Sequence, residues 1–316
     1  MKKKLSIAIA IVFAIITSNN VFSQTSAVYG GNGTEENPYE ISTVAQFQAF
    51  SDTINASNGA PYKDYANTYF KLTANLDLSS GFTYHLSAYT TNNTAPYFAG
   101  TFDGQKYVIS NFNVNASSSN QQNVYIGLFT CLKGTVKNLG VSNAIISYTD
   151  NNDNDNDNVY CGIGIITGMI NYSTAKVDSC YIINSSVTCT GNSNNSIHNA
   201  FIGGIVGHAS WGYVTNSYAL NVNVTCENAQ TGYVGVIGSH AGTNDEDGLD
   251  HILSNCLYSG EIVNHCTNSS TNDTLQSVFD TVLQRIAQNI FGYNYGIYLY
   301  KEKWNLISRI GYNLTN

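Results

Sequence analysis

Short runs of alternating apolar and polar residues recur along the middle of the chain. The clearest run covers residues 220–226, where leucine, valine, valine and cysteine occupy every second position. A period of two places the apolar side chains on one face of an extended strand. Segments 136–146 and 183–189 alternate less regularly, and no helical pattern of useful length interrupts residues 70–263. The pattern therefore predicts an all-β protein.

Glycine-rich blocks divide this region into repeats. Four blocks align, at residues 127–130, 164–167, 204–207 and 235–238. A second apolar anchor follows each block, at Val136, Val177, Val214 and Leu253, so the anchors lie 41, 37 and 39 residues apart. Parallel pairing without intervening helices favours a coil in which each rung pairs with the next, and a period near 38 predicts two rungs of about 19 residues each.

The cysteines follow the same repeat. Cys189 and Cys226 each lie twelve residues after a matching valine, and Cys180 and Cys256 share another slot. Recurrence in one slot predicts small buried side chains stacked along a ladder in place of a disulfide framework. Neighbouring rungs could still bring two of the seven cysteines within bonding distance. Because the chain has no Cys-x-x-Cys pair, the sequence gives no support for a zinc site.

The N-terminus has the features of a secretory signal peptide. Lys2, Lys3 and Lys4 precede the apolar run 5–16, and a plausible cleavage site ends at Ser23. We expect residues 1–23 to be removed and the mature chain to be secreted or held at the cell surface, with the periplasm as an alternative. An uncleaved membrane anchor is the competing interpretation. No later stretch is apolar enough to span a membrane.

Two segments are predicted to close the ends of the coil. Residues 43–55 carry an apolar stripe at helical spacing, and Thr43 with Gln46 forms a possible capping box. Residues 273–290 also show a helical apolar stripe, which predicts a C-terminal helical cap within an aromatic tail over 271–316. Closed ends protect the edge strands from pairing with other chains.

The glycine-rich blocks resemble the GLUG-type repeats of secreted and surface proteins, common in Bacteroidetes. Segments 31–42, 69–78 and 100–112 resemble the N-terminal block and the first rungs of that family, so the likeness runs from Tyr29 to Val263. Thr130 and Thr167 depart from the pattern, since each replaces a glycine. The resemblance implies a right-handed parallel β-helix, or solenoid, over residues 24–270, with a surface, adhesive or carbohydrate-related role. It implies no known catalytic residues.

Positive charge is scarce in a chain whose net charge is −8. Before Arg285 the mature chain has no arginine and only six lysines. They are Lys63, Lys71, Lys106, Lys133, Lys137 and Lys176. Proteins bind nucleic acids and other polyanions through clusters of lysine and arginine, so the scarcity of both residues argues against polyanionic partners. Neutral sugars, protein surfaces and cations stay open.

Two sets of residues are candidate ligand sites. Asp153, Asp155 and Asp157 have the spacing of the first oxygen ligands of a calcium loop, although position 12 is Gly164 and not glutamate. A solvated insertion between rungs is the competing interpretation. Five tyrosines near rung edges are candidate platforms for sugar stacking. They are Tyr148, Tyr160, Tyr172, Tyr213 and Tyr233, and the alternative is that their rings are buried on the rungs.

We expect a non-enzymatic, monomeric module for extracellular binding or adhesion. Its partner would be a glycan or a host or bacterial surface protein, with calcium as the one candidate cofactor. This hypothesis predicts a long exposed face of tyrosine, asparagine and threonine. A divergent polysaccharide lyase or glycoside hydrolase is the alternative, and it needs two carboxylates, or a carboxylate with lysine, in one groove. A structural role in the cell envelope is the third hypothesis.

Overall fold

The computed structural model describes residues 29–55, 63–86, 96–118, 123–151, 159–192, 197–239, 253–254 and 256–271. The proposed signal peptide, the candidate calcium ligands Asp153, Asp155 and Asp157, and the predicted helix over 273–290 lie outside these residues. No helix within the described ranges has the length and apolar character needed to cross a bilayer.

Parallel β-structure dominates the described residues, which form three sheets and one helix. Sheet A contains β1 (Tyr39–Ile41), β2 (Tyr69–Leu72), β4 (Tyr97–Phe98), β5 (Thr101–Asp103), β9 (Phe129–Leu132), β10 (Thr135–Lys137), β14 (Thr167–Asp178), β17 (Val206–Thr215), β20 (Gly238–Ser239) and β21 (Leu253–Ser254). Sheet B contains β3 (Leu76–Asp77), β6 (Val108–Ser110), β7 (Asn113–Ser118), β11 (Gly140–Ser142), β12 (Ile145–Asp150), β15 (Tyr181–Thr190), β18 (Tyr218–Glu227), β22 (Leu257–Tyr258) and β23 (Ile262–His265). Sheet C contains β8 (Val124–Ile126), β13 (Val159–Ile163), β16 (Ile197–Gly203), β19 (Ala229–Gly235) and β24 (Asn268–Thr271). The predicted all-β, parallel character is confirmed.

Equivalent anchors of successive repeats lie opposite each other on neighbouring strands. Val136 pairs with Val177, Val177 with Val214, and Val214 with Leu253. One pass through the sheets therefore takes a whole repeat, and the prediction of two rungs of about 19 residues is wrong. The reason is that each pass has three sides, since β13 in sheet C, β14 in sheet A and β15 in sheet B precede the return to sheet C at β16.

In-register pairing stacks side chains of similar character into columns. Phe70, Phe102, Val136, Val177 and Val214 form one inward column of sheet A, and all five are fully buried. Phenylalanine rings fill the column where the described strands of the first passes belong to sheets A and B, and valines continue it after β8 begins sheet C. Burial of these apolar columns is the main stabilising contribution to the stack.

Helix α1 (Val44–Ile54) covers the N-terminal end of this core. Thr43 is its N-cap, and the predicted capping box with Gln46 is present. Phe47, Phe50 and Ile54 are buried, and the Phe50 ring lies 4.7 Å from Phe70. The predicted N-terminal cap is confirmed, because the apolar stripe of the helix faces the aromatic end of the stack.

The cysteine ladder is also present. Cys189 lies opposite Cys226 on the adjacent strand, as their shared slot predicts. Cys180 and Cys256 make equivalent contacts, because each thiol approaches the carbonyl oxygen of a second anchor on the preceding pass, Val136 or Val214. All seven cysteines are thiols in the structure.

Candidate functional site

An outward bulge in β14 is the starting point of the candidate site. Asn171 lies opposite Trp211 and Lys176 lies opposite Tyr213, so four residues of β14 face the single Gly212 of β17. Gly212 has a positive φ of 93°, and a Cβ there would lie 2.9 Å from the carbonyl oxygen of Tyr172. A side chain at position 212 would therefore collide with the bulge, which explains the glycine.

The bulge folds back onto the turn between β9 and β10. The Thr174 hydroxyl donates a 2.9 Å hydrogen bond to the carbonyl oxygen of Lys133. The Lys133 ammonium lies 4.9 Å from the ring centre of Tyr97 and 5.0 Å from that of Tyr172. The two rings are 5.4 Å apart and tilted by 53°. Both rings attract the ammonium through their π-faces, which holds the three side chains together.

Two large side chains of β17 extend the surface on the far side of the bulge. Trp211 is 64% exposed and Tyr213 is 48% exposed. Together with Tyr97, Lys133 and Tyr172 they form what we call the aromatic face. Scattered exposed apolar residues are ordinary on a protein surface, whereas a group of aromatic side chains on neighbouring strands is a candidate binding surface.

The electrostatics of this face are mild. Burial raises the pKa of the Tyr172 hydroxyl above its usual value, and the neighbouring Cys131 and Tyr97 add to this effect. The hydroxyl is therefore neutral at physiological pH and can both donate and accept a hydrogen bond. Asn171, Ser173 and Thr174 are exposed beside it and offer further neutral hydrogen-bonding groups.

The structure sorts the five candidate tyrosines. Tyr172 and Tyr213 lie together on the aromatic face. Tyr160 and Tyr233 lie on sheet C instead, where Tyr160 contacts His198 and Tyr233 stacks on Phe201 with ring centres 4.9 Å apart.

The prediction that Tyr148 is a platform for sugar stacking is wrong, because its side chain is 1% exposed and cannot meet a ligand at the surface. It lies opposite Cys189 on the next strand and opposite Ala116 on the previous one. Its ring therefore occupies an inward slot between two small side chains. The spacing already contained this information, since Tyr148 follows Val136 by the same twelve residues that separate Cys189 from Val177.

Trp211, the most exposed aromatic side chain of the face, is not among the residues that the sequence pattern predicts for the site. Only two tryptophans occur in the chain, and this one lies in a Ser-Trp-Gly-Tyr segment between a glycine block and its anchor. A tryptophan between polar residues and next to a glycine, outside the apolar alternation, was the available signal. Gly212 is the only mark that the bulge leaves next to Trp211 in the sequence of β17.

A second feature of sheet A is a charge column that crosses five strands. In-register pairing places Glu40, Lys71, Asp103, Lys137 and Asp178 side by side, with alternating sign. Lys71 lies 3.1 Å from Glu40, and Lys137 lies 3.5 Å from Asp103. Opposite charges on neighbouring strands stabilise the register of the sheet.

The charge column also bears on the hydrolase hypothesis, because Asp103 and Asp178 flank Lys137. Burial alone would raise the pKa of Asp178, but hydrogen bonds from Thr215 and Asn216 and the charge of Lys176 together hold it below its usual value. A general acid needs a raised pKa to keep its proton at neutral pH. The environment of Asp178 is therefore that of a structural ion pair. Among the described residues, no group of three or more histidine, cysteine or acidic side chains could hold a metal ion.

The chain is similar over part of its length to two known proteins. It matches no family model. Over 188 residues, 60% of this chain, it is 32% identical to halomucin of Haloquadratum walsbyi (strain DSM 16790 / HBSQ001). A solved structure described as a putative immunoglobulin A1 protease from Bacteroides ovatus is 19% identical and superimposes with a TM-score of 0.39, covering 78% of this chain and 88% of that one. The match to halomucin covers 2% of the length of that protein.

Proposed function

We propose that this chain is a secreted or surface-held binding module that binds a neutral glycan on the aromatic face and catalyses no reaction. We further propose that its three sheets belong to a right-handed parallel β-helix of the GLUG-repeat kind. Parallel strands paired in register, with anchors one repeat apart, support the architecture. The observation that carries the function is the group formed by Trp211, Tyr213, Tyr172, Tyr97 and Lys133.

A sugar fits such a surface for a physical reason. The C–H face of a pyranose ring is apolar and stacks on an aromatic ring, while its hydroxyl groups need neutral donors and acceptors at the rim. Trp211 and Tyr213 supply exposed ring area at a low entropic cost, since each side chain has few rotatable bonds. Asn171, Ser173 and Thr174 supply the rim.

Charge favours a neutral glycan over an acidic one. The ammonium of Lys133 is already engaged by the rings of Tyr97 and Tyr172. Lys176 lies 3.6 Å from the Asp178 carboxylate, which offsets its charge. Lys133 keeps its charge over the rings, but one ammonium in a chain of net charge −8 gives little attraction for uronic acids or sulfated sugars.

The proposal is tested by binding of the full chain to neutral and acidic polysaccharides, measured by affinity electrophoresis. Trp211→Ala should weaken binding of a neutral polysaccharide about tenfold or more, which corresponds to roughly 1.4 kcal/mol. Ile145→Ala is the matched control, because Ile145 is 55% exposed on sheet B, away from the aromatic face. The control should bind like the unmodified chain.

Three results would count against the proposal: equal binding by Trp211→Ala and the unmodified chain, a preference for acidic polymers, or turnover of any polysaccharide. Binding of a protein surface by the aromatic face alone would keep the site and replace its partner. Repeating the titration with calcium and with a chelator tests the proposed ligands Asp153, Asp155 and Asp157. Weaker binding in the chelator is expected if calcium orders that loop.

A further inference from the structure

Four of the seven thiols form a continuous line through the core, which we call the thiol column. Cys161 belongs to β13, Cys189 to β15 and Cys226 to β18, while Cys266 follows β23. The sulfur atoms of Cys161 and Cys189 are 3.5 Å apart, and those of Cys226 and Cys266 are 3.2 Å apart. Cys189 and Cys226 link the two pairs as direct neighbours on adjacent strands.

The surrounding packing makes room for this line of sulfur atoms. Cys161 belongs to a column of sheet C that runs from Val124 through Cys161 and Ala200 to Gly232, so its members become smaller along the stack. A Cβ on Gly232 would lie 2.5 Å from the sulfur of Cys266. The missing side chain at position 232 therefore lets Cys266 lean towards Cys226.

We propose that the thiol column is oxidised into two disulfides, Cys161–Cys189 and Cys226–Cys266. This pairing uses the two measured sulfur contacts and leaves no member of the column unpaired. A Cys189–Cys226 bond would instead leave the thiols of Cys161 and Cys266 without a disulfide partner in the column. We expect Cys131, Cys180 and Cys256 to stay reduced; the Cys180 and Cys256 thiols lie against the carbonyl oxygens of Val136 and Val214.

The chemistry is thiol–disulfide exchange with a small or protein disulfide as the oxidant. One thiolate attacks the oxidant to form a mixed disulfide, and the second cysteine thiolate then displaces the remaining half. Two protein thiols lose two electrons and two protons in total, and the oxidant is reduced to two thiols. Disulfides persist in the oxidising compartments to which exported proteins are delivered.

The disulfides form during folding and not after the sheets have packed. Contact with the Cys161 thiol, together with burial, raises the pKa of Cys189 well above its usual value. Since only the thiolate attacks a disulfide, a buried neutral thiol exchanges slowly. The bonds therefore form while sheets B and C are still coming together, and burial then protects them from reduction.

The two bonds would have separate structural effects. Cys161–Cys189 joins sheet C to sheet B within one pass. Cys226–Cys266 fastens the segment after β23 to the preceding pass. In a repeat stack each pass contacts only its neighbours, so a covalent bond between two passes stabilises their contact directly.

The full chain is reduced in denaturant, refolded with reduced and oxidised glutathione, and alkylated after a second denaturation. We expect a mass about 4 Da below that of the reduced chain before alkylation, since each disulfide removes two hydrogens, and three alkylated cysteines after it. Cleavage after Lys176, Glu227 and Glu261 then separates all proposed partners. Mass spectrometry should find one product of three peptides joined through residues 177–227.

Alkylation of all seven cysteines, or a single Cys189–Cys226 bond, would overturn the proposal. The Cys266→Ser variant should leave Cys226 alkylated and the Cys161–Cys189 bond intact. Cys180→Ser is the matched control, because it removes a buried thiol outside the column and should leave both bonds in place. Heating the oxidised and reduced forms of the unmodified chain should show a higher Tm for the oxidised form, with no reliance on the variants.

Discussion

The Asn55 side chain makes hydrogen bonds to backbone groups at the edge of sheet A. It is the buried C-cap of α1, and its amide donates a hydrogen bond to the carbonyl oxygen of Leu128 and accepts one from the backbone N–H of Thr130. Strand β4 first pairs opposite Cys131, so these two backbone groups lie beyond its reach. The Asn55 amide supplies the hydrogen bonds that a neighbouring strand would make here, because it offers a donor and an acceptor like a peptide group.

Replacement of Asn55 by alanine should therefore be costly. Asn55→Ala leaves two buried backbone groups without their partner, and we expect a loss of about 2 kcal/mol in the free energy of unfolding. Asn115→Ala, which changes an exposed asparagine, is the control and should change stability by less than about 0.5 kcal/mol. Urea denaturation measures both. Equal losses in the two variants would contradict the proposed role of the amide.

The lowered pKa of Asp178 makes a second prediction at this scale. The folded protein holds the Asp178 proton more weakly than the unfolded chain, so this residue stabilises the fold above the unfolded pKa of about 4. The contribution is lost as the pH falls through the lower, folded pKa. The stability difference between the unmodified chain and Asp178→Asn should therefore be larger at neutral pH than in acid.

Thr215→Val provides the check on this pH dependence, because the Thr215 hydroxyl donates a hydrogen bond to the Asp178 carboxylate. Without that bond, the pH dependence attributable to Asp178 should shrink. Denaturation series at several pH values measure both variants. A stability difference that grows on acidification would show that the folded pKa of Asp178 is raised and not lowered.

At the scale of elements, parallel pairing in register turns a row of residues one repeat apart into a physical column. The stack tolerates few charges because like charges would recur at the spacing of neighbouring strands, roughly 4.8 Å. The charge column meets this condition by alternating sign from Glu40 to Asp178. Asparagine columns meet it without charge, as where Asn221 donates a 3.0 Å hydrogen bond to Asn184.

Reversal of one charge in the column should disturb the sheet. Lys137→Glu places three carboxylates on adjacent strands, next to Asp103 and Asp178, and we expect a loss of about 1 kcal/mol at low salt. The loss should shrink in concentrated salt, because ions screen the repulsion between partly exposed groups. Lys106→Glu is the control, since Lys106 is exposed outside the column. An equal, salt-independent loss in both variants would exclude the column as the cause.

At the scale of the whole molecule, one repeat equals one pass through the three sheets. Each pass contacts mainly the passes on either side, so stability is roughly a sum over neighbouring passes. The aromatic face and the thiol column both depend on this arrangement. They combine residues that are far apart in sequence and that meet because successive passes stack or, for Cys161 and Cys189, because one pass turns from sheet C to sheet B.

Removal of one complete repeat tests this arrangement. Deletion of residues 178–214 joins Val177 to Thr215, which already lies beside Asp178, and keeps the later columns in register. We expect a shorter chain that still folds and unfolds cooperatively, with a β-type circular dichroism spectrum. Deletion of residues 178–196, about half a repeat, is the control and should abolish folding. A folded product from the half-repeat deletion would restore the interpretation of two rungs per repeat.

The local pattern of residues by itself determined the strands, the repeat, the parallel pairing of anchors such as Val177 with Val214, and the helix capped by Thr43 and Gln46. Each of these depends on alternation or spacing along the chain, which a sequence carries directly. Tertiary structure alone decided that one repeat makes three sides, that Trp211 is exposed, and that Cys161 meets Cys189. Alternation tells which side of a strand is apolar, but not where a corner turns the chain, and corners decide which distant side chains meet.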